Sequence, residues 1–329
     1  MRIIHSPVWS ALFLIIVGAA CSASAACSNA GASHTISTVP PILDGKRCFE
    51  HVKKVVEIGP RPSGSSGIEK TRNYISDQLK EYGHKPVFDR FSANTARGPI
   101  EMFNVRCEIE GDSKFICALV THYDTKRIFN GHFVGANDGG SGVGVLLEIA
   151  RYYSTAAEPK RKPPISLRIL FVDGEETQKS SEFHKATTDW DTADSLWGSR
   201  HEANRLLTTG GIANTKVVIV LDLVGDKNLN ILEESQSSRD LVAWFREAAK
   251  EGGVEDKFFK TSQPITDDHL PFIQIGVADV IDIIDFDYGK NNSYWHTKED
   301  TLDKLAPESL QIVGDAVLRV LPKAAKKNP

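Results

Sequence analysis

Apolar positions in this chain recur with two periods, and they alternate along most of its length. From Arg47, the residues Cys48, Val52, Val55 and Val56 share one face at helical spacing, so a helix is expected there. The stretch Gly59–Gly67 is a run of turn formers. A second helix is expected from Ile68 to Tyr82, stopped by Gly83. MFNVRCEIE and KFICALVTHY then read as two strands of a hairpin around Gly111-Asp112-Ser113. GVGVLLEIARYYS reads as an apolar helix, and Ile165–Val172 as a strand. The rest alternates in the same way: helix Ser195–Leu207, strand Lys216–Val224, helix Asp240–Lys250, strand Val277–Ile284 and helix Pro307–Leu321. Strands that are apolar throughout are buried on both faces. Such strands alternating with helices predict a three-layer α/β domain with a mostly parallel sheet.

The first residues break this pattern. Arg2 is followed by an apolar run from Trp9 to Ala20, too short to span a bilayer, and then by Ala23-Ser24-Ala25. Residues 1–25 are therefore expected to be a secretory signal peptide, 26–45 a tether and 46–325 one catalytic domain. An uncleaved anchor is the competing reading. A lipid attachment at Cys21 is disfavoured by Gly18, where a large aliphatic residue is normally required. Export to a secreted or periplasmic location permits disulfides. Cys107 and Cys117 would face each other across the expected hairpin, which leaves a bond and two buried thiols equally open.

Composition removes several function classes. Of 329 residues, 41% are hydrophobic and 25% charged, which excludes disorder and a multi-span membrane protein. A net charge of -4 speaks against nucleic acid as a partner. No transmembrane span is expected once the signal is removed.

The chemistry-bearing residues cluster just after the apolar strands, where open α/β sheets bind ligands. His122-Tyr123-Asp124 follows ICALVT, and Asp173-Gly174-Glu175-Glu176 follows RILFV. Asp222 lies within VVIVLDLVG, Asp138 opens a helix in GANDGGSG, and His296 sits before the last helix. Taken singly, each has a plain reading: His122 a core histidine, Asp138 a helix cap, Asp173-Gly174 a turn, Glu175-Glu176 a solvated pair. Together they offer the imidazole and carboxylate donors that zinc takes, with one glutamate left to move protons. No G-x-S-x-G, HExxH or P-loop competes with this reading.

In order and spacing, HYD, GANDGGSG, DGEE, LDLVG and WHT resemble the M28 zinc peptidase family, over roughly residues 46–325. The resemblance implies a three-layer α/β/α sandwich with a central mixed, mostly parallel sheet. It also implies one of two enzyme classes. For the two-zinc aminopeptidases, His122, Asp138, Glu176, Asp222 and His296 match the ligand positions, with Glu175 as base. For the one-zinc glutaminyl-peptide cyclotransferases, Asp138, Glu176 and His296 match the ligands and Glu175 the acid/base, with His122 and Asp222 as second-metal candidates.

GPRPSGSSG, DSLWGSRH and DDHLPF are similar to cyclotransferase segments and favour that class. The resemblance then implies conversion of an N-terminal Gln of peptides or proteins to pyroglutamate. Asp267 and Asp222 would join Glu175 as catalytic groups, and Trp190 and Trp295 would wall the substrate pocket. A binding protein on the same fold is the remaining alternative. Three features depart from the cyclotransferase pattern: Thr177-Gln178 after DGEE, a longer segment to Asp189, and Asp282 in place of a histidine. The aspartates at 279, 282, 285 and 287 suggest either calcium or, preferably, a hydrogen-bonded acidic loop, since no EF-type spacing is present.

Overall fold

The computed structural model describes residues 42–328, apart from 129–131, 157 and 180–189. The expected signal peptide, Cys27 and most of the tether lie outside the described residues.

Helix α1 (Gly45–Ile58) starts where Asp44 accepts hydrogen bonds from the Lys46 and Arg47 amides, and α2 (Ser66–Glu81) where Ser65 caps Ile68. A hairpin follows, β1 (Val87–Thr95) and β2 (Gly98–Ile109), turning at Ala96-Arg97. Then come β3 (Ser113–His122), α3 (Gly140–Tyr152), β4 (Ile165–Val172), α4 (Trp197–Thr209) and β5 (Thr215–Asp222). The chain ends with β6 (Ile231–Glu234), α5 (Arg239–Glu251), β7 (Phe258–Gln263), α6 (His269–Gln274), β8 (Asp279–Ile284) and α7 (Pro307–Lys327).

The strands form one mixed sheet of eight, in the order β1-β2-β4-β3-β5-β8-β6-β7. Its middle, β4-β3-β5-β8, is parallel, and those four strands are the apolar runs legible in the sequence. Alternate residues of each strand feed opposite layers. Leu119, Ile169, Ile219 and Ile281 pack toward α1, α3, α5 and α7, while Val120, Leu170, Val220 and Val280 join Leu206 of α4 and Phe272 of α6. The expected α/β/α sandwich is present.

The expected hairpin between β2 and β3 is not. Strand β4 lies between them, antiparallel to β2 and parallel to β3. The amides of Gly111, Asp112 and Ser113 bond to Ser166 Oγ and to the carbonyls of Pro163 and Pro164, so this turn docks on the start of β4. Cys107 faces Ile169 and Cys117 faces Leu167, both on β4. Two strand spacings, about 10 Å, separate the cysteines, beyond disulfide reach. Both are free buried thiols, which corrects the disulfide alternative. β4 wins the central place because it is buried along both faces, whereas β1, the true partner of β2, is a polar, largely exposed edge strand.

Helix α3 begins directly over the sheet and fits there because it is glycine-rich. A Cβ on Gly142 would meet Thr121 Oγ1 at 2.0 Å, and one on Gly144 would meet the Cys48 carbonyl of α1 at 2.6 Å. Gly144→Ala is expected to cost about 1–3 kcal/mol through overpacking at the α1–α3 contact. Urea unfolding checks it, and an unchanged midpoint would show that α1 is free to shift.

Candidate active site

The carboxyl ends of β3, β4 and β5 deliver His122, Asp173 and Asp222 to one edge of the sheet. Gly174, at a φ of 74°, turns the chain so that Glu175 and Glu176 follow at once. Asp138 arrives on the turn before α3, Asp267 before α6, and His296 from the loop before α7. His296 itself holds a positive φ of 54°, a strained setting for a side chain of its size, and Trp295 stacks on its ring at 3.9 Å.

Of these, Asp138, Glu175, Asp222, Asp267 and His296 border a cavity of about 210 Å³, with Trp190, Ile265, Phe286 and Trp295 as apolar wall. A wider groove of about 560 Å³ near Ser63 is lined by Arg72, Arg97 and Arg127 and brings no histidine to a carboxylate, so the chemistry belongs to the smaller cavity.

Two donor sets converge. Asp138, Glu176 and His296 place one ligand atom each within 4.8 Å of one another, and so do His122, Asp138 and Asp222. His296 Nε2 is 3.0 Å from Glu176 Oε1 and 3.3 Å from Asp138 Oδ2. His122 Nε2 is 3.2 Å from Asp222 Oδ1 and 3.3 Å from Asp138 Oδ1. Asp138 thus shares its two oxygens between the histidines.

The electrostatics follow from burial. Burial works to lower the His296 imidazole, but Glu176 and Asp138 outweigh it and push it up to about 9. His122 is raised in the same way, against burial, by Asp124, Asp138 and Asp222. Burial works to raise Asp138, yet the two imidazoles hold it well below the usual carboxylate range. Burial pushes Asp222 up to about 7. Glu175 is raised well above its ordinary value, first by burial and then by Glu176, Asp267 and Asp268, with His122 opposing.

These residues fit a metal. Asp138 Oδ2 and both Glu176 carboxylate oxygens are buried with no hydrogen-bond partner, and two carboxylates with one imidazole are a zinc donor set.

Several supporting residues were not singled out from the sequence. Asp124 accepts from the Glu175 and Glu176 amides at 3.2 and 3.3 Å, fixing the backbone of both glutamates. Asp300 accepts from the Asn137 and Asp138 amides at 2.8 and 3.1 Å. Arg61, fully buried, donates to the carbonyls of Tyr123, Val134, Gly135 and Asp138. That gives the Gly59–Gly67 loop a purpose: it inserts one cation under the loops carrying Asp124 and Asp138. Ser63 of the same loop donates to Asp173 at 2.6 Å. Lys126 Nζ lies 3.8 Å from Glu176 Oε2. The spacing of Asp124 two residues after His122, and an arginine between two prolines, were the available signals.

The aspartates at 279, 285 and 287 do not converge with Asp282. Asp279 pairs with Lys327 at 2.7 Å, and Asp285 accepts from the Asn230 and Asp287 amides. Asp279 and Asp282 stand on β8 itself and only Asp285 and Asp287 follow it, so the expected acidic loop is corrected to a strand end with a hydrogen-bonded turn at Asp285. Of the longer segment after DGEE, residues 180–189 lie outside the described residues.

Arg61→Met removes a buried cation and strands the carbonyls it holds, so a loss of about 3–5 kcal/mol is expected. Denaturant unfolding measures it; a loss under ~1 kcal/mol would show that water replaces the guanidinium.

Comparison with known proteins adds a family. A model of peptidase family M28 matches residues 104–321. A glutaminyl-peptide cyclotransferase-like protein of Bos taurus is 28% identical over 277 residues, covering 76% of this chain and 68% of its own. Among solved structures, an Acidobacteriales bacterium glutaminyl cyclase matches with a TM-score of 0.79 at 34% identity, over 88% of this chain and 97% of that one. A leucine aminopeptidase precursor from Bacteroides thetaiotaomicron matches with a TM-score of 0.75 at 27% identity, over 87% and 99%. Both enzyme names thus occur among proteins of this fold, and on the family match and the shared architecture this chain belongs to peptidase family M28.

Proposed function

We propose that this chain is a zinc-dependent glutaminyl-peptide cyclotransferase that closes the N-terminal Gln of peptides or proteins into pyroglutamate and releases ammonia. The observation that carries the reading is the cavity itself: small, walled by Trp190, Trp295 and Phe286, with Glu175 and Asp267 on it beside one Asp–Glu–His set.

Asp138, Glu176 and His296 would hold one zinc ion, which supplies Lewis-acid polarisation of the γ-carboxamide oxygen. The substrate's α-amine attacks the carboxamide carbon, Cδ, and the bond from that carbon to the amide nitrogen breaks. Glu175 takes the proton from the amine and gives it to the leaving nitrogen, so no water is consumed. Its raised affinity for a proton, caused first by burial, suits a group that must both accept and return one. Asp267, with Asp222 nearby, accepts hydrogen bonds from the carboxamide NH₂ and strengthens them as that nitrogen becomes cationic. The two tryptophans keep out water that would hydrolyse the amide, and they hold amine and carbonyl in contact.

Secretion or a periplasmic location belongs to the same reading, and no described helix is long and apolar enough to cross a membrane.

A second reading has its own observation. His122, Asp138 and Asp222 form a second donor set, as a two-zinc aminopeptidase requires. Ammonia release from Gln-peptides measured beside Leu-anilide hydrolysis separates the two: cyclisation alone supports the proposal, and hydrolysis alone overturns it.

His296→Ala is expected to lose most bound zinc, while His122→Ala keeps one equivalent per chain by elemental analysis. Loss of all zinc in His122→Ala would favour the two-metal site. Glu175→Gln keeps shape and zinc but is expected to slow turnover ~10²–10⁴-fold. Turnover at the wild-type rate in that variant moves proton transfer to another group.

A further inference from the structure

Three arginines meet in the groove of about 560 Å³ near Ser63, and the proposed chemistry uses none of them. Arg72 comes from the second turn of α2, Arg97 from the β1–β2 turn and Arg127 from the segment after β3. Among the described residues, no carboxylate makes an ion pair with any of the three. Arg127 Nη2 donates to the Ser63 carbonyl at 2.7 Å, and Arg72 Cζ lies 3.9 Å from the centre of the Phe103 ring. The Nε atoms of Arg72 and Arg127 are buried with no hydrogen-bond partner. Burial, and then the charge of Arg97, lower the Arg127 guanidinium below its ordinary range, so these two cations stand close enough to repel. Two glutamates also line the groove, but Glu101 pairs with Arg90, and Glu69 is exposed on the first turn of α2. Guanidiniums gathered in this way repel one another until an anion stands between them.

The groove adjoins the catalytic cavity along two connections. Lys126 Nζ lies 3.8 Å from Glu176 Oε2 and 5.9 Å from the centre of the Trp190 ring, while the next residue, Arg127, lines the groove. Asp194 accepts from the Ala96 amide at 2.8 Å and from the Gln178 amide at 3.0 Å. One carboxylate thereby ties the turn that carries Arg97 to the segment that follows Glu176. Neighbouring Cα atoms are about 3.8 Å apart and each of these side chains adds several ångströms, so roughly 10–15 Å separates Glu176 from the guanidiniums. An extended peptide crosses that distance in about three to five residues.

We propose that this groove is an acidic-residue subsite: with the N-terminal residue of a peptide in the cavity, the groove takes a carboxylate carried about three to five residues downstream. Arg97 and Arg127 donate to that carboxylate, since a planar guanidinium meets two carboxylate oxygens with parallel hydrogen bonds. Arg72, over Phe103, adds a third charge. The catalytic cavity is small, about 210 Å³, so selection among peptides that share a first residue falls to surfaces outside it. The proposal rests on the reading that a peptide N-terminus enters the cavity, whichever reaction follows, and its test separates the two.

Gln-peptides carrying one Asp at successive downstream positions are compared with the neutral peptide at low salt. At the best position KM is expected to fall ~5–20-fold with little change in kcat, and the gain is expected to shrink in about 0.5 M salt. Arg97→Glu, on an exposed turn, is expected to melt with the wild type and to abolish or reverse the preference for Asp. Arg127→Gln is expected to weaken the preference ~3–10-fold, and Arg127→Lys to keep part of it. Equal KM for acidic and neutral peptides at every position overturns the subsite. So does a preference for Asp that survives in the double variant of Arg97→Glu and Arg127→Gln.

Inorganic phosphate probes the groove for a free anion. Calorimetric binding of phosphate that Arg97→Glu abolishes, with no gain for any Asp-peptide, would assign the groove to a small anion and overturn the proposal. Wild type that turns over no Gln-peptide overturns the cyclotransferase reading and leaves the same comparison running on Leu-peptides. If it turns over neither, calorimetric binding of the Asp-peptide against the neutral one decides the subsite: equal affinities overturn it, and tighter binding of the Asp-peptide that Arg97→Glu removes supports it.

Discussion

Too many carboxylates are buried in one place, and the architecture of the site follows from supplying positive charge to them. Asp124, Asp138, Glu175, Glu176, Asp222 and Asp267 are each at most 9% exposed at the carboxyl edge of the sheet. Ionised carboxylates at such depth are unfavourable by several kcal/mol apiece unless charge or hydrogen bonds compensate. The chain brings two kinds of compensation. Arg61 and Lys126 are fixed cations, one beneath the loop backbones and one beside Glu176. His122 and His296 are adjustable ones, and each stands where a metal ligand would stand. The buried oxygens left without a hydrogen bond, on Asp138 and Glu176, are those that a zinc ion held there would satisfy.

The same constraint explains why M28 architecture accommodates two chemistries. The loops that gather His122, Asp138, Glu176, Asp222 and His296 are set by the sheet and by Arg61, Asp124 and Asp300, whichever reaction follows. What distinguishes a cyclising site is local: how dry the cavity is and which group faces the leaving nitrogen. In the proposed reading, Trp190 and Trp295 bear on the first and Asp267 on the second; all three line the cavity. A carboxylate at that position can match a developing ammonium, which a hydroxyl cannot do as well.

Much of this was legible in the sequence, for a physical reason. β3, β4, β5 and β8 are buried on both faces and so read as mainly apolar runs, and β3 and β5 close on the site residues His122 and Asp222. Their spatial order was not legible, because adjacency in sequence suggested a β2–β3 hairpin while burial placed β4 between them. β1, β6 and β7 escaped notice because the first is an exposed, mostly polar edge and the others are short. The roles of Arg61, Asp124 and Asp300 were hidden for a different reason. They act on backbone carbonyls and amides of distant loops, and no spacing of residue types records such a contact. Asp282 was visible as an odd charge in an apolar strand, but its neighbours His269 and Glu234 come from two other elements.

A zinc ion held by Asp138, Glu176 and His296 would complete the buried carboxylates at the sheet edge. Thermal unfolding of the chelator-treated protein, titrated with zinc and followed by elemental analysis of the washed sample, tests it directly. One tightly held equivalent per chain is expected, with a melting temperature that rises with zinc, since a ligand bound only by the folded state stabilises it. A melting temperature indifferent to zinc, with no metal retained after washing, would contradict it.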